Sequence, residues 1–122
     1  MTDGDVERML RALDTNDVEA VVELFAEDAT FESPAIPHVL NRKEGICRGR
    51  DEIRELVRAM VQRARPWGTH KPPLVRGNTV AIEYMSASSD KEPFSVDIIE
   101  FENGKIRSFR AYAGWRARFG DG

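Results

Sequence analysis

The sequence contains only one cysteine, Cys47, and it has no long uninterrupted apolar run. A single thiol cannot form an internal disulfide, and it fits a reducing compartment such as the cytoplasm. The longest apolar stretches are broken by charged residues and are too short to span a bilayer. No basic N-terminus precedes an apolar segment, so we expect neither a signal peptide nor a membrane partner.

The chain also has little net charge, since 18 basic and 21 acidic residues leave a formal charge of −3. Phosphate binding needs a positive surface, so we do not expect nucleic acid as a partner. The segment 107–118 is a local exception, because arginines and aromatics alternate there as in strips that bind single strands. The alternative is a strand whose arginines pair with the many acidic residues.

The composition is that of an ordinary globular protein, with 41% hydrophobic and 32% charged residues in 122. This length is typical of one domain that can bury a real core. No internal repeat, low-complexity segment or linker divides the chain. We therefore expect residues 1–122 to form a single domain.

Apolar residues at helical spacing predict three helices in the first half of the chain. The first covers about residues 5–15. Asn16 is expected to cap the second, whose apolar stripe extends to Phe25. The third covers about residues 51–64.

The second half changes to a pattern of successive strands. A short strand at 28–34 comes earlier, and Pro34 opens a loop predicted to extend over 34–49. The segment 88–93 (SSDKEP) is expected to be a turn, and Asn103-Gly104 is a strong hairpin signal. Helices followed by an antiparallel meander predict an α+β fold.

Some of these strands are apolar on both faces, as Val96, Ile98 and Ile99 are in one of them. A sheet with helices on one side and water on the other should alternate more cleanly. The face of the sheet that carries no helices is most simply covered by another copy of the chain. The sequence therefore predicts a homodimer that associates through the outer face of the sheet.

Three segments, ALDTNDVEAVVELFAEDATFESP, GRDEIRE and IEFENGKIRSFRAYAG, closely resemble the nuclear-transport-factor-2-like superfamily. That group includes ketosteroid isomerases, limonene-type epoxide hydrolases and SnoaL-like polyketide cyclases. The resemblance implies a cone-shaped α+β fold with three N-terminal helices on a strongly curved, mostly antiparallel sheet. It also implies one apolar pocket inside the cone and, in many members, a dimer through the outer sheet face.

The resemblance to ketosteroid isomerases does not extend to their catalytic residues. Met9 stands at the place of the catalytic tyrosine and Ser33 at that of the aspartate base, whereas Asp97 matches the oxyanion-hole acid. Without the proton-abstracting carboxylate, steroid isomerisation by that route is not expected.

The other two enzyme groups match no better. The Asp-Arg-Asp set of the epoxide hydrolases corresponds to Tyr84, Ser86 and Ala111, so no charge is kept. The closing strand SFRAYAGW lacks the carboxylate that SnoaL-like cyclases use.

The same resemblance implies which residues line an apolar pocket for a small hydrophobic molecule, the usual form of such a site. This set comprises Met9, Phe31, Ser33, Met60, Val80, Ile82, Ser86, Ile99, Phe109, Ala111, Ala113 and Trp115.

Asp97 is the foremost candidate for catalysis because it interrupts an otherwise apolar strand. A carboxyl group buried there should have a raised pKa and could act as a hydrogen-bond donor or as a general base. Tyr84 could donate a hydrogen bond to a ligand or to Asp97. The alternative is a structural pair in which both groups are satisfied within the core.

The two histidines, His38 and His70, are too far apart in sequence to suggest a metal site. His38 lies on the 34–49 loop, where it could fold over the pocket and serve as a base, or simply face solvent. The face of His70 cannot be assigned. Cys47 has no adjacent base and is expected to be inert.

No phosphate-binding loop, dinucleotide fingerprint or Ser-His-Asp order is present, so we expect no cofactor. The leading hypothesis is a cytoplasmic dimer that binds a hydrophobic, oxygen-bearing metabolite and acts on it as an isomerase, cyclase or dehydratase. The alternatives are a ligand-binding protein without catalysis and an association module of the same fold.

Overall fold

The structure, a computed structural model, describes residues 3–62, 70–86 and 89–113, with the backbone alone at 86 and 89–94. Within these residues it contains four helices and six strands. The helices are α1 (Asp3–Leu13), α2 (Val18–Val22), α3 (Ile36–Val39) and α4 (Gly49–Gln62). The strands are β1 (Phe25–Glu32), β2 (Ile46–Arg48), β3 (Leu74–Arg76), β4 (Thr79–Ser86), β5 (Ser89–Glu102) and β6 (Lys105–Ala113).

The described strands form one sheet in the order β2-β1-β6-β5-β4-β3. Only the β1–β6 pair is parallel within this sheet, and the other neighbours are antiparallel. The β1–β6, β4–β5 and β5–β6 pairs contain register shifts, which bend and twist strands. The predicted α+β fold with a curved, mostly antiparallel sheet is confirmed.

The first two helices differ from the prediction at their junctions. Asp17, not Asn16, is the N-cap of α2, and its carboxylate accepts a hydrogen bond from the backbone N–H of Ala20. Phe25 begins β1 instead of extending the helical stripe. A helix of five residues leaves room for the strand to start earlier, and Phe25 is fully buried there.

The prediction of one loop over 34–49 is wrong, because this segment contains both α3 and β2. It returns to the end of β1, where the backbone N–H of Ser33 donates to the carbonyl oxygen of Gly45. Cys47 then pairs with Phe31 and is fully buried. The helix α3 also explains why four helices are described where three were predicted.

The hairpin at Asn103-Gly104 is confirmed, since both residues have the positive φ angles, 52° and 79°, that a tight hairpin turn requires. The turn predicted at 88–93 is wrong for residues 89–93, which belong to β5. Pairing between β4 and β5 continues as far as Ser86 and Ser89. Position 88 lies outside the described residues.

Buried apolar side chains from the helices and from one side of the sheet form the core. Three phenylalanine rings meet there: Phe31 and Phe109 stack with centroids 4.3 Å apart, and Phe25 lies 6.0 and 6.2 Å from them. We call the core-facing side of the sheet the inner face and the opposite side the outer face. Five side chains of the inner face belong to the core: Val80, Ile82, Tyr84, Ile99 and Phe109.

Candidate functional site

Asp97 lies on the inner face, in a row of residues that crosses three strands. In the strand pairing, Asp97 stands opposite Ile82 of β4 on one side and opposite Ala111 of β6 on the other. Directly opposed residues share a face of the sheet. The adjacent row, which contains Ile99 and Phe109, is fully enclosed in the core.

The carboxyl group of Asp97 is almost completely removed from solvent, with 4% of the residue exposed. Among the described residues, no basic side chain pairs with it and no group donates a hydrogen bond to it. Loss of solvent disfavours the charged form and raises the pKa of Asp97 to about 7. Asp97 can therefore donate a hydrogen bond when protonated and accept a proton when ionised, both near neutral pH.

Tyr84 is the diagonal neighbour of Asp97, two residues beyond Ile82 on the same face of β4. It is 3% exposed. Burial raises its pKa well above the usual value of 10, and the negative charges of Asp97 and Asp14 raise it further. The phenol therefore remains a hydrogen-bond donor at any physiological pH. The alternative of a hydrogen bond between Tyr84 and Asp97 is not present among the described contacts.

His70, whose face could not be assigned from the sequence, joins this group. It forms an antiparallel bridge with Tyr84, and the two rings lie 5.6 Å apart. Opposed residues share a face, so His70 belongs to the inner face. Its Nδ1 atom is 2.8 Å from the carbonyl oxygen of Lys71. No sequence signal could have placed it, since its face depends on which residue of β4 it meets.

The predicted lining residues fall into three groups. Those buried in the core are Met9, Phe31, Val80, Ile82, Ile99 and Phe109, and Met60 packs against them from α4. Ser33 and Ala111 are half-buried and Ala113 is exposed. The side chain of Ser86 and all of Trp115 lie outside the described residues.

Exposure of the inner face increases along β6, from the buried Phe109 through the half-buried Ala111 to the exposed Ala113. Ala111 and Ser33 also line an open groove of about 440 Å³ beside the end of β1. Asp97 stands opposite Ala111, where the enclosed part of the inner face gives way to the accessible part. Arg110 and Tyr112 of the outer face also line this groove, and Asp97 is not among its lining residues.

His38 and Cys47, the other two residues considered from the sequence, lie near the β1–β2 edge. His38 is on α3 with an exposed side chain, whereas Asp97 is on β5, separated from β1 by β6. Cys47 is buried, and burial raises the pKa of its thiol. A protonated, enclosed thiol is a poor nucleophile.

Glu83 and Arg110 each pair with another partner. Glu83 pairs with Lys71 at 2.9 Å, and Arg110 pairs with Glu100 at 3.5 Å. These charges lie on the outer face and take no part in the Asp97 group. Within the described ranges, no three potential metal ligands cluster, and no helix is long and apolar enough to cross a membrane.

A family model for the SnoaL-like domain matches residues 6–109 of the chain. No curated protein sequence matches it significantly. Several solved structures share the fold. A SnoaL-like protein of unknown function from Burkholderia thailandensis is 20% identical, with a TM-score of 0.73, over 93% of this chain and 99% of that one.

Two further structures extend this group of relatives. A proposed polyketide cyclase from Sinorhizobium meliloti is 18% identical (TM-score 0.67; 90% of this chain, 94% of that one). A protein with a ketosteroid isomerase-like fold from Catenulispora acidiphila, in complex with trimethylamine, is 19% identical (TM-score 0.62; 96% and 90%). Identities this low establish a common fold and nothing finer.

Proposed function

Because the chain belongs to the SnoaL-like domain family, we propose that it binds a small hydrophobic, oxygen-bearing molecule on the inner face beside Asp97. The observation that carries this proposal is a buried carboxyl group without a described partner. An unpaired buried acid lowers stability, so its retention is most simply explained by a ligand that pairs with it. The apolar surroundings match the hydrophobic body of such a ligand.

The chemistry follows from the two polar groups of the inner face. Protonated Asp97 and the Tyr84 hydroxyl both donate hydrogen bonds, so together they suit a carbonyl, enolate or ether oxygen. An acid whose pKa is about 7 can also transfer its proton and take it back at neutral pH. We propose cofactor-free acid/base catalysis of the isomerase, cyclase or dehydratase type, without choosing among these reactions.

The relatives support this class of function without specifying it. One of the structures is a proposed polyketide cyclase, and another has a ketosteroid isomerase-like fold and contains a small bound molecule. Both descriptions are compatible with a small-molecule function for this chain. The alternative from the same observations is a protein that binds such a ligand and does not convert it.

The first experiment is a thermal-stability screen against steroids, aromatic polyketide-like compounds, terpenoids and lactones. A ligand present at one hundred times its Kd adds about 2.7 kcal/mol of apparent stability, which gives a clear shift in Tm. The hit is then incubated with wild type and with Asp97→Asn. Product from wild type alone indicates catalysis, and binding without product indicates a ligand carrier. If no compound of the panel shifts the Tm, the proposal is contradicted.

The pH dependence of binding tests the role of Asp97 directly. A neutral oxygen ligand should bind wild type less tightly above pH 7, by up to about tenfold per pH unit, as Asp97 loses the proton it donates. Asp97→Asn keeps a donor at the same place and should bind without this dependence. Equal pH profiles for the two proteins would contradict the role.

The outer face supports a second proposal, a homodimer. Leu74, Ala81 and Ile98 form a row across three strands on this face, and Tyr112 lies in the neighbouring row. Leu74 is 74% exposed and Tyr112 is 56% exposed. A second copy would cover this apolar surface, as the sequence pattern predicted.

Light scattering at micromolar concentration tests this association. Wild type should be a dimer, and Tyr112→Glu should shift it toward monomer. Glu27→Lys, at an exposed position of β1, should leave the dimer unchanged. A monomeric wild type contradicts the dimer. Capture of a different protein by this face would favour the association module over the homodimer.

Two broader proposals concern the cellular compartment and the domain organisation. The single, buried cysteine supports a reducing compartment such as the cytoplasm. The family match from residue 6 to residue 109 supports one domain over residues 1–122.

A further inference from the structure

A further groove, of about 650 Å³, lies between β1, β6 and the N-terminal end of α4. On β6 it reaches Lys105 and Arg107, whereas the residue opposite Asp97 is Ala111. Arg107 and Ala111 are four positions apart in an extended strand, which corresponds to about 13 Å. This groove is therefore separate from the Asp97 site.

The groove forms where the pairing of β1 with β6 is interrupted. Between Phe25 and Thr30, β1 advances five positions while β6 advances only two. The additional residues bend β1 and break its regular alternation. Glu27 and Asp28 consequently both line the groove, although neighbours in a regular strand point to opposite faces. Bulges of this kind often re-aim side chains beside functional sites.

Three basic and three acidic side chains line the groove: Arg50, Lys105, Arg107, Glu27, Asp28 and Glu102. Two of the bases are matched within the protein. Arg107 pairs with Glu102 at 3.3 Å. The Nζ atom of Lys105 donates to the backbone oxygen of Glu23 at 2.7 Å and lies 3.9 Å from the carboxylate of the same residue.

Arg50 is held in place and still has hydrogen bonds to donate. It lies in the first turn of α4, and its Nε atom donates to the backbone oxygen of Phe25 at 2.9 Å. Within the described ranges no carboxylate pairs with its guanidinium group, so the N–H groups of its two terminal nitrogens remain available. A fixed guanidinium binds a carboxylate through two parallel hydrogen bonds. The positive end of the α4 dipole favours an anion at the same place.

Glu27 and Asp28 provide the opposite charge. Both occupy exposed positions, and neither forms an ion pair in the part of the chain that the structure describes. Apart from its matched pairs, the groove thus presents one positive and two negative charges. The complementary ligand carries one carboxylate and two ammonium groups.

We propose that this groove binds a free basic α-amino acid of the lysine type. Arg50 binds the α-carboxylate of this ligand, and Glu27 and Asp28 bind its two ammonium groups. This inference is independent of the proposed function, because it uses no residue of the Asp97 site.

An NMR titration of the full chain with L-lysine tests the site. Because the groove is open to solvent, we expect millimolar affinity, measured at low ionic strength where exposed charges are screened least. The backbone amide signals of residues 26–28 and 105–107 should shift, whereas that of Asp97 should not. No shift, or shifts confined to other parts of the chain, would overturn the proposal and leave the proposed function untouched.

Three analogues test the three contacts separately. Lysinamide lacks the carboxylate, norleucine lacks the side-chain ammonium group, and Nα-acetyl-lysine lacks the α-ammonium group. Each should bind at least about tenfold more weakly than L-lysine, because it leaves one charge of the groove unmatched. If lysinamide bound as tightly as L-lysine, the groove would be a general cation site and the proposal would be wrong.

The variant Arg50→Gln tests the carboxylate contact from the side of the protein. It should weaken binding of L-lysine at least about tenfold without weakening binding of lysinamide. Glutamine can still donate to the backbone oxygen of Phe25, so the local structure is kept. Arg58→Gln is the matched control, since it removes the same charge from an exposed position of α4 outside the groove. Equal losses of L-lysine affinity in the two variants would contradict a direct contact.

The double variant Glu27→Gln/Asp28→Asn tests the ammonium contacts at exposed positions, where the fold should tolerate the change. It should weaken binding of L-lysine more than binding of norleucine, because L-lysine loses two charge pairs and norleucine only one. An equal effect on both ligands would show that the side-chain ammonium group is not bound there, and would overturn the assignment to a basic amino acid.

Discussion

The difference in stability between Asp97→Asn and wild type should shift in favour of the variant as the pH rises. In wild type, the buried carboxyl keeps its proton up to about pH 7, whereas the usual value for aspartic acid is 3.8. The folded protein therefore holds this proton more tightly than the unfolded chain does. This difference leaves the free energy of unfolding of wild type unchanged below pH 4. The free energy of unfolding then falls progressively as the pH rises from about 4 to about 7.

The magnitude follows from the size of that interval. It spans about three pH units, and each unit corresponds to about 1.4 kcal/mol, so ionisation costs wild type about 4 kcal/mol in all. Asp97 is 4% exposed, and solvent screening should therefore reduce this value little. Between pH 5 and pH 8 the variant should gain about 3 kcal/mol on wild type.

The assay is urea unfolding at constant protein concentration and ionic strength, at half-unit steps from pH 5 to pH 8.5. Asp28→Asn is the control, since it removes the same formal charge from an exposed position on β1. The difference between Asp97→Asn and wild type should rise up to about pH 7 and then remain level. A constant difference across this range, or one that falls as the pH rises, would refute the argument.

Two further variants test local features of the fold. Asp17→Ala should lower stability by about 1 kcal/mol in the same urea assay because α2 loses its cap. Asn16→Ala is the control and should change stability little. A larger loss for Asn16→Ala than for Asp17→Ala would make Asn16 the cap. Gly45→Ala should cost about 1–3 kcal/mol, because an added Cβ would lie 2.9 Å from the backbone oxygen of Ser33. An unchanged Tm for this variant would show that the end of β1 can move away.

The parts of the fold that follow local rules could be read from the sequence. Helical spacing located α1 and α4, and the Asn103-Gly104 pair located the β5–β6 hairpin. These features depend on neighbours a few residues apart. The α+β class followed from the same signals, because their order along the chain restricts the possible architectures.

The errors arose where long-range pairing overrides local preference. The segment 34–49 looks like a loop, yet pairing of Cys47 with Phe31 makes part of it a strand. The residues 89–93 look like a turn, yet β4 provides a partner for them. A strand needs a partner, and no short stretch of sequence reveals where that partner lies.

The candidate site divides in the same way. The sequence by itself determined that one carboxylate interrupts an apolar strand, since alternation along β5 makes Asp97 stand out. Only the tertiary structure decided its degree of burial, which raises its pKa, and placed Tyr84 diagonally beside it. It alone brought His70 to the same face, because the face of a residue in a sheet is set by the strand it pairs with.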